Sequence, residues 1–139
     1  MPRVEAGQIV FVYGTLKRGG RWHHLLGDAE LLGGARTLAP HPLIVDDFPY
    51  LLDEPGRGLI VEGELYRVNS RTLARLDELE GHPHEYHRRR LPVRAGDGEP
   101  CEAWAYFLSD PVIIARVKEK GIAPIAVFDA RNGGAHLSF

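Results

Sequence analysis

The apolar positions of this chain fall into short runs cut by Gly and Pro, the pattern of a strand-rich domain, with one central stretch that follows the helical period. Residues 9–12 form an uninterrupted apolar run that breaks after Tyr13 into Gly14-Thr15-Leu16-Lys17-Arg18-Gly19-Gly20. This predicts a strand delivering a binding loop. Glycines at both ends let the loop backbone bend sharply and approach a ligand, leaving main-chain N–H groups for a carboxylate or oxyanion. Residues 21–26 suit a short helical turn and 31–38 an extended segment. Segments 42–45 and 50–52 flank the turn Asp46-Asp47-Phe48-Pro49. Residues 58–68 read as a long strand interrupted at Gly63, where glycine marks a bulge or a close approach.

The run 71–80 is the clearest helix, with Ser70 as a suitable N-cap, Gly81 in the usual terminating position and Pro83 just beyond. Residues 85–93 and 102–108 alternate as a hairpin around Ala95-Gly96-Asp97-Gly98-Glu99-Pro100. Residues 111–120 suit a second, partly amphipathic helix, 122–128 an extended segment, and Arg131-Asn132-Gly133-Gly134 a turn. The expected class is α+β, without repeating βαβ units.

Within the central helix Leu73, Leu76 and Glu80 fall at i, i+3 and i+7, so a carboxylate shares the face of leucines that must pack inward. Glu80 also stands in the last turn, where the helix dipole disfavours negative charge and partial burial raises a carboxyl pKa. Those are the conditions of a general base. A plainer reading has Glu80 reaching solvent past the core or pairing with Arg88, Arg89 or Arg90, and helix geometry by itself favours it. Asp77 and Glu78 read as solvated helix charges.

At 139 residues and 44% hydrophobic content, the chain suits one domain with a substantial core. A formal charge of -2, from mixed acids and bases, gives no sign of nucleic-acid or membrane-surface binding and leaves small molecules as partners. Cys101 is the single cysteine and makes no internal disulfide. The N-terminus has neither a cationic leader nor a long apolar segment, and no stretch nears the roughly 20 apolar residues that span a bilayer. The expectation is a soluble protein of the reducing cytoplasm, monomer or homodimer.

Four motifs occur in order: Tyr13-Gly14-Thr15-Leu16-x-x-Gly19, Gly63-Glu64-Leu65-Tyr66-x-Val68, Leu76-Asp77-x-Leu79-Glu80-Gly81 and Tyr86-x-Arg88. Together they resemble the γ-glutamylcyclotransferase-like (AIG2-like) family. Residues 11–19, with Arg36-Thr37-Leu38-x-Pro40-x-Pro42-Leu43, are most similar to its γ-glutamylamine cyclotransferases. The resemblance runs from residue 9 to 108 within a single domain of 1–139. It implies a small mixed β-barrel flanked by helices, with a cavity between the glycine loop and the acidic helix end. It further implies Glu80 as catalytic base, Tyr13, Gly14, Thr15 and Leu16 as the loop that binds the γ-glutamyl group, and no metal or other cofactor. Tyr86 and Tyr106 match weaker aromatic positions. For Tyr86, pocket lining or a hydrogen bond to Glu80 stands against the ordinary half-buried packing of a strand tyrosine.

In the reaction this resemblance implies, the γ-glutamyl substrate carries its own nucleophile. Its α-amine attacks its γ-carbonyl, and the protein has to hold the near-attack conformer, remove an ammonium proton and stabilise the oxyanion. The products are 5-oxoproline and a free amine or amino acid. The alternative is a non-catalytic domain of the same fold that recognises a small carboxylate or amide, for which an inward acid has little use.

Other conspicuous residues read as ordinary. His82-x-His84-x-x-His87 spans a Pro-containing turn and lacks a fourth ligand, so surface histidines are expected there. The loop 14–21 has two glycines where a phosphate-binding loop requires Lys followed by Ser or Thr. Residues 88–90 alternate between strand faces and form no single anion patch, with Arg88 the candidate for turning inward. Cys101 reads as a core or edge residue. Residues 110–139 lie outside the resemblance; they are free to cover the barrel, close the pocket over the leaving group, or pair with another subunit.

Overall fold

A computed structural model of the chain describes residues 8–14, 16–20, 23–27 and 29–129. Seven strands and two α-helices make up its regular structure: β1 (Gln8–Val12), β2 (Glu30–Thr37), β3 (Leu43–Val45), β4 (Pro49–Leu51), β5 (Glu62–Val68), α1 (Ser70–Leu79), β6 (Tyr86–Arg94), β7 (Cys101–Leu108) and α2 (Pro111–Lys120), with a 3₁₀ turn at His23–Leu26. Five strands close a mixed barrel in the order β1-β5-β2-β6-β7, while β3 and β4 form a separate hairpin. β1 runs antiparallel to β5 and closes the ring through a parallel pairing with β7, Val10 opposite Trp104. The α+β barrel flanked by helices is the architecture the motifs imply.

Strand alternation divides the apolar residues into two cores. One face carries Val10, Val12, Tyr66, Val68, Tyr106 and Leu108, and meets Leu73 and Leu76 of α1 and Val117 of α2. The other face, turned into the ring, carries Phe11, Leu65, Leu91, Val93, Ala105 and Phe107. β1 therefore serves both cores with alternate residues, which pins the strand that leads into the glycine loop.

Gly63 marks a close approach and not a bulge. A Cβ built there would lie 2.4 Å from the Val12 carbonyl oxygen and 2.8 Å from the Phe11 ring. The register shift falls instead in β2, between Leu31 and Gly33. The long strand expected at 58–68 is correspondingly shorter, beginning at Glu62.

α1 is capped by Asn69, whose side-chain oxygen accepts the Thr72 N–H at 2.8 Å, so Ser70 is the first helical residue and not the cap. Gly81, at φ 65°, ends it in the left-handed conformation that glycine adopts most easily. α2 follows its expected bounds, with Asp110 accepting from Val112 N–H and Gly121 at φ 64° ending it. The segment after α2 returns to the barrel. Ile125 N–H donates to the Leu43 carbonyl, the Ala126 carbonyl accepts from Glu62 N–H, and Phe128 is buried in the ring core. Among the three roles open to this region, residues 122–128 cover the barrel. The turn expected at 131–134 lies outside the described residues. Among the described residues, no helix is long and apolar enough to cross a membrane.

Candidate active site

β1 delivers the glycine loop at the edge where α1 ends. Lys17 N–H donates to the Gly14 carbonyl at 3.0 Å and Gly20 N–H to the Lys17 carbonyl at 2.8 Å, so the loop is wound into consecutive turns. Its outer limb is held by a carboxylate: Glu64 Oε1 accepts the Arg18 N–H at 2.7 Å and the Tyr66 hydroxyl at 3.0 Å. His23 Nδ1 lies 3.0 Å from the Leu16 carbonyl. A carbonyl only accepts, so this contact requires the tautomer with the proton on Nδ1. Leu16 itself is buried in the helix-covered core. Thr15 lies outside the described residues.

Glu80 occupies the C-cap of α1 and is only 3% exposed. Its N–H donates to the Leu76 carbonyl, and its carbonyl accepts from Tyr86 N–H, so main-chain bonds fix the residue on both sides. Burial, and then the nearby charge of Glu85, hold its carboxyl well above the usual range. Glu85 is folded against the helix terminator: a Cβ at Gly81 would meet Glu85 Oε1 at 2.5 Å. The pairing with Arg88, Arg89 or Arg90 that helix geometry left open is not made; among the described residues no cation pairs with Glu80.

Glu80 lies with Phe11, Val12, Tyr13, Gly14, Leu16 and Tyr106 around a cavity of about 10 Å³, enough for one water-sized sphere. The helix-end acid and the start of the glycine loop are thus brought to one place from 66 residues apart, counting from Gly14 to Glu80. Three tyrosines surround the acid. The Tyr13 hydroxyl donates to the Tyr106 carbonyl at 2.7 Å, tying the end of β1 to β7. The Tyr86 hydroxyl faces the Pro49 carbonyl at 3.5 Å, the outer limit of a hydrogen bond, and its ring stacks on Tyr50. Tyr86 therefore sits in the electrostatic field of Glu80, with its hydroxyl turned toward β4. Burial raises the pKa of Tyr13, Tyr86 and Tyr106 first of all, and the Glu80 charge raises each further, so the three phenols stay protonated.

Asp77 is not the solvated helix charge that its position suggested. It is half-buried, with Oδ1 accepting from Tyr106 hydroxyl at 2.7 Å and from Arg88 Nε at 2.8 Å, and Oδ2 accepting from Arg88 Nη2 at 3.0 Å. Burial pushes its carboxyl up, but the bonds from Arg88 and Tyr106 outweigh this and hold it below the ordinary value. The signal was present in the spacing, since Asp77 stands four residues after Leu73 and so shares its face.

Arg88 and Arg90 lie over the Trp104 ring, 4.3 and 4.5 Å from its centroid, while Arg89 lies over Phe107, so the three arginines occupy both strand faces as alternation requires. His82 Nδ1 accepts the Arg88 N–H at 3.0 Å, and His87 contacts Ser109 and Asp53. Among the described residues, no group of three His, Cys, Asp or Glu side chains is arranged to hold a metal. Cys101 begins β7 opposite Val93 and packs against the ring core, on the face away from α1.

The family profile described as gamma-glutamyl cyclotransferase, AIG2-like, matches residues 10–125, and so extends past β7 through α2 into the returning segment. The gamma-glutamylaminecyclotransferase A of Danio rerio is 43% identical over 110 residues, covering 72% of this chain and 68% of that protein. The gamma-glutamylaminecyclotransferase of Bos taurus is 45% identical over 106 residues, covering 70% of this chain and 63% of that protein. A crystal structure of an AIG2-like protein from Mus musculus superimposes with a TM-score of 0.82 at 28% identity, covering 95% of this chain and 96% of the other. On sequence and fold together, this chain belongs to the AIG2-like gamma-glutamyl cyclotransferase family.

Proposed function

We propose that the protein converts a γ-glutamyl amine or γ-glutamyl amino acid to 5-oxoproline and the free amine, with Glu80 moving the proton. The single observation that carries this is the buried carboxyl of Glu80, paired with no cation among the described residues, beside the start of the glycine loop. Such a group is held as a weak acid by burial, so when ionised it is a stronger base than an exposed carboxylate.

The ionised Glu80 takes a proton from the substrate's α-ammonium. The freed amine attacks the γ-carbonyl of the same molecule, forming the ring N–C bond and placing charge on the carbonyl oxygen. Main-chain N–H groups of residues 14–16 hold that oxyanion or the α-carboxylate. The C–N bond to the leaving amine then breaks, and protonated Glu80 returns its proton to the departing nitrogen. The second proton still on the attacking nitrogen is lost to leave the lactam N–H, the released amine taking it up as an ammonium ion. Ring closure within one bound molecule replaces a bimolecular attack, which is why positioning and one proton carrier suffice. The setting that suits such a small-molecule reaction is the cytoplasm.

The experiment is to incubate the protein with γ-glutamyl-lysine, γ-glutamyl amino acids and glutathione, following 5-oxoproline by mass spectrometry. Turnover is expected for at least one of them, lost in Glu80→Gln and kept in Cys101→Ala. Binding of γ-glutamyl compounds without product from any of them would favour a non-catalytic recognition domain.

A further inference from the structure

Lys17 stands in the middle of the glycine loop, yet it is only 8% exposed. An ammonium withdrawn from water has to be held by acceptors. Lys17 Nζ donates to the Phe128 carbonyl, in the segment that returns to the barrel after α2, a charge-assisted bond between residues 111 positions apart. We propose that Lys17 is a positioning residue for the cyclisation: its ammonium clasps the returning segment to the glycine loop and so holds the N–H groups of residues 14–16 in the arrangement that receives the substrate's carboxylate or oxyanion. This inference rests on the reading of the loop as the anion holder of the reaction.

Main chain and side chain of Lys17 are both committed. Its N–H closes a turn on the Gly14 carbonyl at 3.0 Å, and its carbonyl accepts from Gly20 N–H at 2.8 Å, so Lys17 ends the turn that contains residues 14–16 and begins the next. A displacement of Lys17 therefore carries those residues with it. Other ties of the loop run elsewhere, from Arg18 N–H to Glu64 of β5 and from the Leu16 carbonyl to His23. Between the outer limb of the loop and the returning segment lies a cavity of about 460 Å³, with Lys17, Arg18, Gly19, Glu64 and Phe128 in its lining. Packing does not fill that gap, so a directed bond has to set the position of the limb. The acceptor is itself fixed. Phe128 is buried in the ring core that also holds Tyr13, the residue before Gly14, and the chain just ahead of it is bonded to β3 through Ile125 N–H and to β5 through the Ala126 carbonyl.

The test compares wild type with Lys17→Met, Phe128→Ala, the double variant and Arg18→Met, in the full chain. Arg18 is exposed on the same loop, so its substitution removes the same charge without touching the clasp. Two readouts are taken, amide hydrogen exchange, which needs no ligand, and the Kd for 5-oxoproline. Lys17→Met and Phe128→Ala should each speed exchange of the residue 17 and Gly20 amides by roughly tenfold relative to those of α1. Each should weaken 5-oxoproline binding roughly 10- to 100-fold, the scale of a misplaced binding group. Arg18→Met should change neither readout. The double variant should be no worse than the worse single variant, because one linkage is broken once. A merely structural lysine would lower the fraction of folded protein, and so the binding amplitude, with the Kd unchanged. That result, losses that multiply in the double variant, an equal loss in Arg18→Met, or unaltered loop exchange in Lys17→Met overturns the proposal. If Lys17→Met does not fold, Phe128→Ala decides, since it leaves the lysine in place and loosens only its acceptor. If the wild type neither binds 5-oxoproline nor releases it, the proposed reaction is refuted, and exchange of the loop amides by itself decides whether Lys17 holds the loop.

Discussion

The protein treats two carboxylates oppositely, Asp53 at the surface and Glu80 in the interior. On the strand face away from α1, Asp53 accepts from Arg89 at 2.8 and 2.5 Å and contacts His87 at 3.3 Å. The Arg89 hydrogen bonds hold its carboxyl below the usual value. At the end of α1, Glu80 is more deeply buried, has a second carboxylate for a neighbour, and is pushed the other way. Among the described residues Asp53 and Asp77 are paired with arginines and Glu80 is not, and burial leaves the Glu80 carboxyl the most basic of the three. Under the proposed function, that contrast separates a structural ion pair from the proton carrier.

Glu80→Gln breaks the comparison most sharply. It should lower kcat by roughly 100- to 10,000-fold, the usual worth of a proton carrier. Glu80 has a raised folded pKa, so its contribution to stability is full below the unfolded carboxyl pKa and is lost as pH rises through the folded value. At pH 8 the neutral amide should therefore hold or raise Tm relative to wild type, measured by thermal unfolding. Reduced activity together with reduced Tm would mark Glu80 as structural.

Gly63→Ala should come next, because its Cβ would drive against the Val12 carbonyl and force β1 from β5. A loss of about 2 kcal/mol in urea unfolding is expected, the scale of overpacking. Since β1 carries the glycine loop, KM should rise as well.

Asp53→Asn should cost about 1 kcal/mol, since its pair with Arg89 is partly solvent-screened, and should leave kcat and KM unchanged. Asp53 has a lowered folded pKa, so the stability it contributes is present above about pH 4 and fades as pH falls through the folded value. The variant's deficit should accordingly shrink in acid, in equilibrium unfolding repeated across that range. A fall in kcat with Asp53→Asn would erase the distinction between the two regions.

Much of this could be read from the chain itself. Strand alternation and glycine placement located the barrel strands, and three positions of helical period placed Glu80 on the buried face of α1. The cap moved by one residue because Asn69, like Ser70, carries a suitable side-chain oxygen, and only backbone geometry decides between adjacent candidates. Asp77 was legible as to face but not as to partner, because its bond to Arg88 depends on how closely β6 approaches the helix. The clamp from Glu64 to Arg18 and the return of residues 122–128 to the barrel join segments distant in the chain, and periodicity carries no information about such contacts.

The central claim, that Glu80 is the base of a cyclisation, is tested most directly by the pH dependence of kcat/KM for 5-oxoproline release from a γ-glutamyl amine. Activity should fall on the acid side with an apparent pKa well above the ordinary glutamate value of about 4.3, and the residual rate of Glu80→Gln should lack that limb. An acid limb at or below the ordinary value, or the same limb in Glu80→Gln, would contradict it.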